Sequence, residues 1–245
     1  MALPSRPQRP SRPSRPARPT AKPQPKKASA RLVPVARPFV RGLTDTRALL
    51  LTTARDLFLE AGEPGFSLRE VARRVGVSPA AVYRHFDGKE ALIFAACTQG
   101  FEVFSSYLVR ALAAPTALER ALAACEQYRN FGLENPLDYR FIFMSPAEQV
   151  QPPSSQPTEP GSFVNGGAML PQYSTFQFLV DRIRECMDAG LIARGDTKQT
   201  AVLVWAHLHG LVSLRIAGLL EAIGDAPAFA EVYRQSVARL FRGLA

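Results

Sequence analysis

Residues 66–90, FSLREVARRVGVSPAAVYRHFDGKE, constrain this chain more than any other stretch, because two short helix signatures stand back to back there with a tight turn between them. Ser67 with Glu70 three residues later is a capping box, and Leu68, Val71, Ala72 and Val75 fall at i, i+3, i+4 and i+7 on one face. Gly76 stops this helix, and Val77 is placed to bury under the turn. Ser78 is a second N-cap, and Pro79 takes the first helical position, where its missing N–H is not needed. The spacing predicts a second short helix over 79–86. Two short helices joined by a glycine turn, each with one apolar stripe, leave the outer face of the second free to enter a major groove.

That outer face carries Ala80, Ala81, Arg84 and His85, small at its N-terminal end and basic further along. Small residues let a helix sit deep against base edges, while Tyr83, Arg84, His85 and Lys89 offer donors at phosphate height. An ordinary helical hairpin with a solvated basic face is the plainer reading of any two amphipathic helices. Against it stands the coincidence of two caps, a glycine turn and the Tyr-Arg-His-Phe run at the right spacings.

Residues 44–92 resemble the DNA-binding domain of TetR/AcrR-family transcriptional regulators, with a first helix over 44–62, the segment SLREVARRVGVS and the closing segment AVYRHFDGKEAL. The resemblance implies that Arg69 reaches a base or a nearby phosphate and that Tyr83 and Lys89 hold phosphates. Where the family commonly has a hydroxyl residue this chain has Leu68, and Ser67 stands in for that contact. Ser67, Arg69, Ser78, Pro79, Ala80, Ala81, Tyr83, Arg84, His85 and Lys89 are therefore the expected DNA-contacting set.

Charge is distributed unevenly. Residues 1–43 hold eight Arg, three Lys and no acidic residue, so of the net +9 this segment carries +11 and residues 44–245 sum to −2. From Ser5 to Pro19 the triplet SRP-QRP-SRP-SRP-ARP excludes helix and offers nothing to bury, which predicts a disordered basic tail. No apolar run follows its charges, so it does not read as a signal peptide. It is either a solvated extension, including one from a misassigned start codon, or an arm that touches DNA phosphates or an adjacent minor groove. Cys97, Cys125 and Cys186 lie far apart in apolar helical patterns and read as reduced core residues of a cytoplasmic protein.

Beyond the first domain the periodicity stays helical. Expected helices cover about 44–61, with Leu50, Ala54, Leu57, Phe58 and Ala61 on one stripe, then 87–112, 117–134, one from 137 or 138, 172–189, 196–223 and 227–242, with a Pro/Ser/Gln/Gly-rich loop over 145–171. The fourth helix is long enough to leave the DNA-binding domain and act as a lever. The 201–223 stretch is the most apolar, but His207, His209, Ser213 and Arg215 argue for a buried protein helix over a membrane span. Trp205, His209 and Gly210 match the Trp-His-Gly pattern of one subgroup of TetR-type C-terminal domains, and Gly210 suggests close helix approach.

A full pass finds no His-Cys cluster, HExxH, phosphate loop or Gly-x-Ser-x-Gly elbow, so no enzyme, metal or cofactor is expected. The sequence reads as an all-α chain: a basic tail over 1–43, a three-helix helix-turn-helix domain over 44–92, and a helical regulatory and dimerisation domain over 93–245. The expected function is a homodimeric repressor released from a palindromic double-stranded operator by a small apolar effector. The alternatives are a regulator of the same fold without a small-molecule ligand, acting by occupancy or through a protein partner, and a helical enzyme with a DNA-binding appendage. Phe104, Phe141, Met144, Phe176, Trp205 and His209 are the expected pocket, although His209 reads more simply as a hydrogen-bonded core residue. Val202, Leu208, Val212, Leu219, Leu220, Phe229, Tyr233, Val237, Leu240 and Phe241 are the expected dimer interface.

Overall fold

The computed structural model describes residues 45–145 and 175–245; the basic tail and most of the long loop read from the sequence lie outside the described residues. The chain is all-α, and among the described residues there are nine α-helices and no strand. They are α1 (Thr46–Gly65), α2 (Leu68–Val75), α3 (Pro79–Tyr83), α4 (Lys89–Arg110), α5 (Ala117–Glu134), α6 (Pro136–Met144), α7 (Thr175–Asp188), α8 (Thr197–Ile216) and α9 (Ala226–Leu244). Asp45 caps α1 by accepting the Arg47 N–H at 2.9 Å. Leu50, Ala54, Leu57 and Phe58 are buried as expected, but Ala61 is exposed. The regular helix ends at Gly62, whose φ of 66° re-aims the last turn toward Pro64.

The two caps of the helix-turn-helix form where the sequence places them. Ser67 accepts the Glu70 N–H at 3.2 Å and Ser78 accepts the Ala81 N–H at 3.2 Å. Gly76 closes α2 in the left-handed region at φ 79°, so that the N–H groups of Gly76 and Val77 both reach the Ala72 carbonyl. Only half of the expected capping box at Ser67 forms, because the Glu70 carboxylate turns away to a fork of Arg73 and Arg74. A reciprocal box occurs instead at Thr116 and Glu119, at the start of α5. α3 is shorter than predicted and ends at Tyr83. The His85 and Phe86 N–H groups share the Val82 carbonyl, which tightens the chain and turns Phe86 into the core under the Arg47 guanidinium.

α4 runs unbroken through residues 92 and 93, where the sequence places the domain boundary, and packs on α1, α5, α6 and α7. By length and composition the helical stretch from Lys89 to Ala113 matches a membrane span, yet half of its apolar window is buried inside the fold. Two glycines permit close nesting: a Cβ on Gly100 would meet Ile142 Cγ2 at 2.7 Å, and one on Gly132 would meet Val212 Cγ1 at 2.5 Å. Gly210, expected at a close approach, instead has open space around it within the chain. α8 does not continue to Ile223. Gly218, at φ 75°, ends it by sending the Leu219 N–H back to the Leu214 carbonyl at 3.0 Å, and a short 3-10 turn over Glu221–Ile223 leads to α9.

Six residues of the expected dimer interface are buried within the single chain: Leu208, Val212, Phe229, Tyr233, Val237 and Phe241. α9 buries its one apolar stripe in the chain's own core, with the Tyr233 hydroxyl donating to the Cys125 carbonyl at 2.8 Å, while α8 is apolar on all sides and buries only the side that carries Leu208 and Val212. The outward face of α8 carries Val202, Leu203, Ala206 and Leu214. Cys97, Cys125 and Cys186 are buried, and burial pushes the thiols of Cys97 and Cys125 up to about 12, which keeps them protonated.

Candidate nucleic-acid interface and regulatory cavity

The helix-turn-helix presents Ser67, Arg69, Ser78, Pro79, Ala80, Tyr83, Arg84 and His85 to solvent, Tyr83 at 59% exposure. Ala81 is not among them. It is only 7% exposed, because it sits one residue before Val82, the anchor of α3, and faces inward with it. Lys89 is half-buried, and its Nζ donates to the Glu63 carbonyl at 3.0 Å and to Glu63 Oε1 at 2.5 Å. To hold a phosphate it must exchange that carboxylate for DNA. Arg73 is paired with Glu70, and Arg74 with both Glu70 and Glu60. The two arginines hold the exposed Glu70 carboxyl down at about 2. The i, i+3 and i, i+4 spacing from Glu70 to these arginines was the sequence signal for this fork. Arg69 and Arg84 enter no ion pair among the described residues.

Inside the C-terminal helices lies an apolar cavity of about 30 Å³, lined among others by Phe104, Leu108, Tyr128, Phe143, Phe176 and Trp205. Among the described residues, none that lines it is charged. Phe104, Phe176 and Trp205 were expected there. Phe141 was expected as well, but the 100° step per residue of α6 lets only one of Phe141 and Phe143 face the cavity. Phe143 does, while Phe141 sets its ring edge-on to Phe58 of α1 with centroids 5.4 Å apart. Met144 is 47% exposed and lies outside the cavity. A larger open cleft of about 300 Å³ lies between α1 and α4, with the mixed lining of Arg47, His85, Phe94 and Glu102.

His209 stands behind the cavity wall as a hydrogen-bonded core residue. Trp205 Nε1 donates to the Tyr128 hydroxyl at 3.2 Å, the Tyr128 and Tyr139 hydroxyls are 3.1 Å apart, and the Tyr139 hydroxyl meets His209 Nδ1 at 2.8 Å. Burial lowers the pKa of His209 and raises those of both phenols, which favours the neutral imidazole and the protonated hydroxyls. In the unfolded chain the imidazole recovers its ordinary value near 6.5 and binds a proton that the folded chain refuses. The contribution of His209 to stability is therefore intact above about 6.5 and is lost as the pH falls toward its lowered folded value. The melting temperature is expected to drop as the pH falls from neutrality to 5, and to drop less in His209→Asn, whose side chain still accepts the Tyr139 hydroxyl. Equal slopes for the two proteins in a pH series of thermal melts would contradict this.

A family model described as bacterial regulatory proteins of the tetR family matches residues 50–96, the span that contains this helix-turn-helix. A second, described as the tetracyclin repressor-like C-terminal domain, matches residues 121–240. The chain belongs to the TetR family. This TetR-family chain is 31% identical over 100 residues, 40% of its own length, to the HTH-type transcriptional activator FasR of Mycolicibacterium smegmatis. The match spans 46% of FasR, so less than half of that relative is covered. A solved structure of a protein of unknown function from Rhodococcus sp. RHA1 shares 28% identity and a TM-score of 0.61, covering 85% of this chain and 99% of that one. AibR, solved in complex with isovaleryl coenzyme A and operator DNA, shares the fold at a TM-score of 0.57 and 21% identity, covering 80% of this chain and 98% of its own. Both family models and FasR point to transcriptional regulation rather than catalysis.

Proposed function

We propose that this chain is a homodimeric repressor that binds a palindromic operator through α2 and α3 and is released by a small uncharged apolar molecule. The observation that carries the DNA face is the exposure of Arg69, Tyr83, Arg84 and His85 on one side of the helix-turn-helix, with the cations beside them neutralised by Glu60, Glu63 and Glu70. Donors left unpaired on a protruding helix are available to phosphates and base edges. A stripe of Val202, Leu203, Ala206, Gly210 and Leu214 on α8, with Val232 and Leu240 on α9, is the candidate dimer face, replacing the more deeply buried residues read from the sequence. The effector class is read from the described lining, which is uncharged and rich in aromatic rings: Phe104, Phe143 and Trp205 favour an apolar molecule.

The test is selection of duplexes from a random pool by the full chain, followed by titration of variants. Tyr83→Phe and Arg84→Ala are expected to weaken all sequences alike. Arg69→Ala is expected to cost about 1–3 kcal/mol and to relax discrimination at one operator position. Unchanged affinity in all three would refute the DNA face. One observation favours a second reading, in which the chain acts by occupancy without a ligand. The cavity is about 30 Å³, well below the roughly 300–1,000 Å³ typical of ligand pockets.

A further inference from the structure

The nine residues of α6 touch both ends of the molecule's working parts. Asp138 Oδ1 accepts from Arg55 Nη1 of α1 at 2.6 Å, with both side chains mostly buried, and Phe141 packs edge-on to Phe58 of the same helix. From other faces of α6, the Tyr139 hydroxyl bonds His209 Nδ1, and the Phe143 ring lies 6.2 Å from Trp205 and 5.4 Å from Phe104. Ile142 seats in the notch at Gly100 of α4, where there is no room for even a methyl group. A helix this short, pinned through five of its residues, moves as one piece. A displacement of Phe143 or Tyr139 is therefore felt at Arg55 directly through α6 as well as along α4.

We infer that Asp138 is a coupling position: its ion pair with Arg55 links the aromatic cavity around Trp205 to the DNA-binding helices by a direct contact beside the long lever α4. A shift of α1 on DNA is passed through α6 to the surroundings of Trp205. The inference rests on the proposed DNA binding and requires no effector.

Trp205 is the single tryptophan of the chain and reports on this directly. A duplex selected by the full-length protein is titrated into it, with binding followed by anisotropy of a label on the DNA and the cavity followed by Trp205 emission. In wild type the emission is expected to change along the same binding curve. In Asp138→Asn, and separately in Arg55→Gln, anisotropy still reports binding but the emission change is lost. The reversed pair Arg55→Asp with Asp138→Arg is expected to restore it, which a merely structural role would not predict. An emission change of full size in Asp138→Asn, an unresponsive reversed pair, or DNA binding by wild type without any change at Trp205 each overturns the inference. Absence of binding in the anisotropy channel refutes the DNA-binding reading instead. Quenching of Trp205 by an uncharged probe such as naphthalene, equal in wild type and Asp138→Asn, separates occupancy of the cavity from its coupling.

Discussion

Operator affinity is expected to fall by about 10² between 50 and 200 mM salt for a chain lacking residues 1–40, and more steeply for the full chain. Each protomer brings Arg84 and, once Glu63 is displaced, Lys89 to the phosphates, about four contacts per dimer with Arg69 left for a base edge, and each contact contributes a log–log slope of about −0.9. The eleven positive charges of residues 1–43 are additional. Titrations of both forms at four or five salt concentrations give the two slopes. A truncated chain whose affinity is insensitive to salt would contradict the assigned DNA face. Equal slopes for the two forms would assign no phosphate contact to the tail.

Leu203→Glu with Leu214→Glu is expected to convert a dimer into a monomer at micromolar concentration and to abolish operator binding. Both leucines are exposed on the outer face of α8, one at 50% and the other at 41%, with Ala206 and Gly210 between them, and a Cβ added at Gly210 would meet nothing within 4 Å. Four carboxylates brought together across a two-fold axis would be left without counter-ions in an apolar contact. A dimer holds its two recognition helices at one separation, and only spacings near ~34–36 Å or a multiple fit successive major grooves, so a monomer loses the benefit of two half-sites. Sedimentation measures the oligomer and anisotropy measures the DNA complex. A double variant that stays dimeric and binds normally would refute this face. Glutamates at Val237 or Phe241 would not test it, since those side chains are core residues whose replacement unfolds the chain.

The sequence was most informative where a single residue type performs one local task. Ser67 and Ser78 each satisfy a backbone N–H at a helix start, Pro79 has no N–H to leave unpaired there, and Gly76 takes a left-handed φ, so their places could be read without knowing the rest of the fold. Competition between side chains was harder to read. Glu70 had one carboxylate and three suitors, and two arginines held it more strongly than the backbone N–H of its cap. Gly218 was hidden because apolar residues continue on both sides of it, and only its positive φ shows that the helix stops. Six residues expected at a dimer face are used by the chain's own core. α8 is apolar on all sides, so periodicity could not tell which side meets the chain's own helices. At the cavity, Phe141 and Phe143 are two residues apart, and which of them faces inward depends on a helix phase set by Gly100 and Gly132 on neighbouring helices.

The carboxylates of Glu60, Glu63 and Glu70, which engage Arg74, Lys89 and Arg73, also bear on how this domain travels along DNA. A helix-turn-helix with every cation bare would cling to any duplex and slide for long distances before releasing it. Here three of the basic side chains arrive already occupied, so a random stretch of duplex is gripped by little more than Arg69 and Arg84, and the dwell on it is short. Lys89 can be recruited only where the fit is close enough for phosphate to displace Glu63. The search by the folded domain is then made of brief visits, and the ratio of operator to bulk DNA is widened by weakening the denominator.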